Sequence, residues 1–143
     1  MKKLIFCIVF VMFSASLLWS QDNSEEKKIE SLKVAFITEE LNLNSQEAEK
    51  FWPIYRKYEA KNDKLYDEKW CAVKNGLDLI DEIDEATASA LLDEYIDLKM
   101  QSAQLKEDFV NELKGVIPPK KILHLKKVER DFHRDLLKKL KSK

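Results

Sequence analysis

The chain has 143 residues with only two glycines, three prolines and two cysteines, and its formal net charge is −1. So little glycine leaves no glycine-rich loop to cradle a phosphate. No alternating apolar and polar runs are bounded by turns, so the composition is that of an all-α chain. One helical domain of this length buries a modest core, more if it dimerises.

Lys2 and Lys3, an apolar run from Leu4 to about Leu18, and Ser20-Gln21 have the three-part layout of a secretory signal peptide. Cleavage near Ser20 would divide the chain into a 1–20 signal and a single 21–143 helical domain, exported to the periplasm. An uncleaved anchor is the competing reading, but a span of ~20 apolar residues is normally needed and this run is shorter. Cys7 lies too early for a lipoprotein site. Removing the signal leaves Cys71 alone, so no intramolecular disulfide can form. In an oxidising compartment such a thiol hides in a core or bridges two subunits. Its place after Trp70 on a helix favours burial.

A first helix is predicted from about Glu25 to Leu41, with Ile29, Leu32, Phe36 and Ile37 inward. A second begins after Asn44. Asn44 and Glu47 have capping-box spacing, with Leu43 and Ala48 placed as a hydrophobic staple. Phe51, Trp52, Tyr55 and Tyr58 recur along one side of that helix. Pro53 comes too late for a first-turn proline and should bend it. Phe51 and Trp52 are adjacent, about 100° apart, so both cannot sit at the centre of one narrow seam. One of the two is expected to reach a neighbouring subunit or client. The stripe continues through Tyr66, Trp70, Val73, Leu77 and Ile80. It keeps phase across Asn75-Gly76, which favours a helix weakened there over a hairpin turn.

Asp81–Thr87 reads as a polar connection, with Asp84 or Thr87 as the cap of a third helix. Leu91, Tyr95, Leu98, Leu105, Phe109 and Leu113 form its seam at a spacing of about 3.5 residues, suited to long antiparallel packing. Gly115 should end it and Pro118-Pro119 start a fourth, which presents Ile122, Leu125, Phe132, Leu136 and Leu140. Four amphipathic helices, two of them long and bent, make a hairpin-built bundle or cradle, expected to be dimeric.

From Gly115 to Lys143 there are ten Lys/Arg against three Asp/Glu, a net +7. Such a face is either simply solvated or a surface that attracts acidic segments or anionic headgroups. Catalysis finds little support, since a nucleophile needs a nearby base and oxyanion donors. The two histidines, His124 and His133, are nine residues apart and cannot share a metal from one straight helix. Asp78, Asp81, Glu82, Asp84 and Glu85 read first as a solvated acidic turn. No enzymatic activity, cofactor or metal is expected.

The segment LNLNSQEAEKFWPIY resembles the helix-start motif, LTxxQ, of the Spy/CpxP-like periplasmic proteins. Leu43, Asn44 and Glu47 occupy its leucine, cap and final polar positions. VIPPKK would be a degenerate second copy, with Ile117, Pro118 and Lys121 in those places, though Pro118 and Lys121 cannot form the same reciprocal cap. The C-terminal KKILHLKKVERDFHRDLLKKL is similar to the closing helix of relatives described as sensors of ECF-type sigma factors. The resemblance implies an exported envelope-stress protein, often a homodimer, whose bent hairpins form a curved cradle. It implies an ATP-independent holdase-type chaperone for unfolding periplasmic proteins. Client contacts are then expected at Phe51, Trp52 and Tyr55 and at the basic Lys126, Lys127, Arg130 and Arg134. The alternative is a stress sensor docking on a membrane signalling protein, an anti-sigma factor or a histidine kinase. Metal sensing lacks a compact ligand set, an inert structural envelope protein is a third reading, and nucleic acid is not an expected partner of an exported protein.

Overall fold

The computed structural model describes the backbone of residues 18–141 and the side chains of residues 24–139 and 141. Most of the expected signal segment, residues 1–17, lies outside the described residues, as does the side chain of Leu140. Among the described residues the chain is all-α, with four helices: α1 (Leu18–Glu40), α2 (Ser45–Asp78), α3 (Glu85–Lys114) and α4 (Pro119–Lys141). None of these is long and apolar enough to cross a membrane. The chain divides into two compact units: Leu43–His124, and the residues up to Asn42 together with those from Leu125 onward. Helix α4 contributes residues to both.

In the unit of α1 and the later part of α4, Ile37, Leu41, Leu125 and Val128 are buried. Phe36 and Phe132 meet with ring centroids 5.6 Å apart. Leu32, expected inward, is exposed. It lies five residues before Ile37, about 140° around the helix, so when Ile37 and Leu41 face inward Leu32 faces out. Helix α1 ends where Asn42 takes the left-handed conformation, φ 47°, which asparagine tolerates better than most residues.

In the Leu43–His124 unit, the Asn44 side chain accepts from the Glu47 N–H at 2.9 Å and the Glu47 carboxylate accepts from the Asn44 N–H at 3.0 Å. The capping box is complete, with Leu43 buried before it. Helix α2 then runs unbroken for 34 residues through both Pro53 and Gly76, about 51 Å at 1.5 Å per residue. Gly76 has a packing reason to be there, because a Cβ on it would collide with Leu91 Cδ1. Gly76→Leu should nonetheless cost no more than about 1 kcal/mol, because the atom it meets is the mobile end of Leu91 beside open space and leucine is the better helix former. The urea midpoint would show it, and truncating Leu91 to alanine in the same chain should recover most of the loss. An undiminished loss would place the strain elsewhere.

The turn after α2 closes with Leu79 N–H to Asn75 O at 3.1 Å and Ile83 N–H to Leu79 O at 3.2 Å. Asp84 caps α3, accepting from the Thr87 N–H at 2.8 Å. Helices α2 and α3 form an antiparallel hairpin whose core includes Phe51, Tyr55, Leu65, Val73, Leu98, Phe109 and Leu113. Tyr58 stacks on Phe109 at 4.3 Å, and Tyr55 meets the same ring edge-on at 6.0 Å. Polar rungs join the helices at growing sequence separation. They are Lys69–Glu94, 25 apart; Lys99–Tyr66, 33; Ser102–Asn62, 40; and Lys57–Glu112, 55.

Gly115 does end α3, but in a right-handed conformation, φ −80° and ψ −7°. A left-handed glycine cap is therefore not what stops the helix. The stop comes from Pro118-Pro119, since a proline disfavours the helical conformation in the residue before it and supplies no N–H. Val116 and Ile117 both donate back to the Leu113 carbonyl at 2.9 Å. Ile117 and Ile122 are buried.

Candidate apolar binding groove

The two ends of the hairpin differ in what covers them. Near its base, α3 offers Leu105, Phe109 and Leu113 to α2. Near its tip, α3 begins Glu-Ala-Thr-Ala-Ser-Ala, residues 85–90. Side chains this small cannot cover what α2 presents opposite them. Leu77 and Ile80, expected in the core stripe, are consequently each 55% exposed, and Leu79 is exposed too. The result is an open groove of about 440 Å³ bounded by Trp70, Val73, Leu77, Ile80, Leu91 and Tyr95, with Leu92 on its lip. Its size is that of a small-molecule or side-chain pocket, and its walls are almost wholly apolar.

A second apolar stripe on α3 extends this surface. Leu92, Ile96 and Met100 are 64%, 55% and 67% exposed, and four-residue steps place them along one side of the helix. The seam of Leu91, Tyr95 and Leu98 occupies the neighbouring side, so α3 is apolar over an unusually wide arc. Scattered single exposed apolar residues need no explanation, whereas a contiguous set marks an interaction surface. The sequence reading missed these three residues although the spacing was there to see.

The charged side chains flank this surface rather than enter it. Lys69 reaches Asp97 at 2.6 Å and Glu94 at 3.1 Å. Its hydrogen bond to Asp97, then that to Glu94, raises the Lys69 ammonium above its ordinary value, and the same Lys69 bond is the main reason Asp97 titrates lower than usual. Lys99 lies 5.3 Å from the Tyr95 ring centroid and 5.6 Å from that of Tyr66. Cys71, read as buried, is exposed. It is one residue beyond half-buried Trp70, about 100° further around α2, and that turn carries it off the packed side.

The residues expected to touch clients are distributed unevenly. Phe51 and Tyr55 are core residues, 0% and 3% exposed, stacked on each other at 5.4 Å. Trp52 is half-buried and stands edge-on to Phe51 at 5.1 Å, so of the three it alone keeps appreciable surface. On α4, Lys126 pairs with Glu129 at 3.2 Å, Lys127 with Asp131 at 2.7 Å, and Arg134 with Asp131 at 3.1 Å. Arg130 is exposed. Carboxylates on the same helix thus neutralise part of the basic face locally. His124 is half-buried and His133 exposed.

The degenerate second motif has a structural partner that its sequence did not disclose. Lys121 cannot cap its own helix, but its ammonium reaches Glu47 Oε2 at 2.7 Å, both side chains being largely covered. One carboxylate therefore serves the capping box of α2 and holds the start of α4. The Lys121 hydrogen bond, followed by the Asn44 N–H, holds Glu47 below its ordinary 4.5. Asp84 is lowered from 3.8 by Thr87, and Asp131 from 3.8 mainly by Lys127. A carboxylate whose folded value is depressed contributes stability above its unfolded value and loses it as pH falls through the folded one. The urea midpoint is thus expected to hold from pH 7 down to about 5 and then to fall. Glu47→Gln should flatten the upper part of that decline, and a wild-type midpoint unchanged down to about pH 3 would contradict the assignment.

A protein-family model described as tRNA_anti-like matches residues 1–91. The chain belongs to the tRNA_anti-like family. Within this tRNA_anti-like chain the match takes in α1, α2, the hairpin turn and α3 as far as Leu91, and so most of the groove wall. Leu92, Tyr95 and the basic α4 lie beyond it. Nothing among curated proteins or solved structures matches the chain.

Proposed function

We propose that this chain is an exported, ATP-independent holdase-type chaperone of the Spy/CpxP-like kind, which holds unfolding periplasmic proteins by short-range apolar contact. The observation that carries the reading is the open apolar surface at the hairpin tip, where Leu77, Ile80, Leu92, Ile96 and Met100 are all more than half exposed. Unfolding chains expose apolar segments, and such a surface can bury them without nucleotide chemistry. Charge around it adds long-range attraction to the short-range contact. On this reading clients meet the hairpin tip and half-buried Trp52, since Phe51 and Tyr55 lie in the core.

The family description names tRNA, and that partner is not adopted. The matched residues 1–91 contain 12 Lys/Arg against 17 Asp/Glu, a net −5, so their field opposes a phosphate backbone. The deciding measurement is light scattering from an aggregating client with no ATP present. Suppression at an equimolar amount of the chain is expected. Unaltered aggregation at that ratio rejects the holdase, and recovery of a single membrane regulator in a pull-down would favour the sensor instead.

A further inference from the structure

The free charge around the groove is acidic at its tip, while Lys69 and Lys99 border its other end. Between Lys74 and Lys99 the chain has eight Asp/Glu and not one Lys or Arg. Glu94 and Asp97 of that set meet Lys69. The other six (Asp78, Asp81, Glu82, Asp84, Glu85 and Asp93) are exposed. They alternate in sequence with the residues that build the groove: Asp78 follows Leu77, Asp81 and Glu82 follow Ile80, Asp84 follows Ile83, and Asp93 follows Leu92. The hydrogen bonds from Thr87 at its cap hold the Asp84 carboxyl below its ordinary value. A concave apolar wall with an acidic rim along its tip concentrates ligands of the opposite sign there before contact.

We infer that the groove is specific for apolar peptide segments flanked by lysine or arginine. The apolar part would fill the space between Trp70, Leu77, Ile80 and Tyr95 and lie along the stripe of Leu92, Ile96 and Met100. That stripe is about 12 Å long at 1.5 Å per residue, enough for about eight helical residues. The flanking cations at the tip end would sit over the rim carboxylates, which cluster there and at Asp93. An acidic or neutral flank loses this attraction, and an acidic one is repelled, so selection is made by charge while contact is made by apolar surface.

This inference rests on the groove being the client site proposed above, and the test separates the two. Two dansyl-labelled peptides share one apolar core of about eight residues and carry Lys-Lys or Glu-Glu at each end. Fluorescence anisotropy is titrated with the purified protein at about 20 mM and about 500 mM salt. The lysine-flanked peptide should bind about tenfold or more tighter at low salt, with the difference shrinking at high salt. Neutralising the rim with Asp81→Asn, Glu82→Gln and Glu85→Gln together should reduce the preference to about threefold or less. Equal binding of the two peptides, or preference for the glutamate-flanked one, overturns the inference and leaves the holdase reading intact if client aggregation is still suppressed. Binding of neither peptide overturns it as well. Accompanied by no suppression, that outcome removes the holdase too. Accompanied by a dimer in sedimentation that Leu92→Gln/Ile96→Gln dissociates, it assigns the groove to a second copy. A lysine preference without suppression keeps the groove's specificity and discards only the holdase role.

Discussion

Phe51→Ala is expected to lower the unfolding free energy by about 3–5 kcal/mol, the range for truncating a buried phenylalanine. Its ring is 0% exposed, edge-on to Trp52 at 5.1 Å and stacked on Tyr55 at 5.4 Å. Truncation therefore opens a cavity and removes two oriented aromatic contacts as well. Set against a typical total of about 5–15 kcal/mol, that is from about a fifth of the stability at the upper end to more than half at the lower. Trp52→Ala is the control. Half-buried, it should lose no more than about half as much, because less apolar area returns to water. Urea titration followed by circular dichroism measures both, and a larger loss for Trp52 would reverse the assignment of which ring is seated in the core.

Leu92→Gln/Ile96→Gln should act oppositely, leaving the fold and removing most of the holdase activity. The two side chains are 64% and 55% exposed, so polar replacements should shift stability by no more than about 0.5 kcal/mol each. Glutamine is also nearly as good a helix former as leucine, so α3 itself is not weakened. Client light scattering should rise close to the level without protein, while the urea midpoint stays near wild type. Full suppression by the double variant would move the client site elsewhere. Leu98→Gln, placed in the core of the same helix, should instead unfold the hairpin.

Helix starts and stops were the most legible features, because caps are local chemistry. Asn44 with Glu47, Asp84 with Thr87, and Pro118-Pro119 act within a few residues of themselves and need no knowledge of what packs where. The absence of a hairpin turn at Asn75-Gly76 was legible for a similar reason, since the apolar phase is a property of one helix, but the phase pointed to a weakened helix where α2 runs unbroken. Exposure was harder, because it depends on the neighbour. Leu77 and Ile80 carry the right spacing for a core, and only the small residues opposite, Ala86 to Ala90, leave them open. Leu65 and Val128, both buried, were passed over beside more conspicuous aromatics. The Glu47–Lys121 contact joins residues 74 apart, and no local rule links them. Lys121 fails as a cap of its own helix and serves instead at the start of α2.

The succession of rungs along the hairpin bears on how the chain acquires its structure. Pairings that begin 25 residues apart at Lys69–Glu94 and widen to 55 at Lys57–Glu112 allow closure to start at the turn and proceed outward. Each step adds little to the loop already closed, as doubling a loop costs only about 0.6 kcal/mol. The Glu47–Lys121 contact, at 74, completes the series after α4 has arrived. Low separation of contacting residues also favours rapid folding. The turn end, which keeps its leucines and isoleucines open to solvent, is thus the end assembled at the smallest entropic loss. In a chain still emerging or still refolding, it would be in place before the rest of the unit has formed.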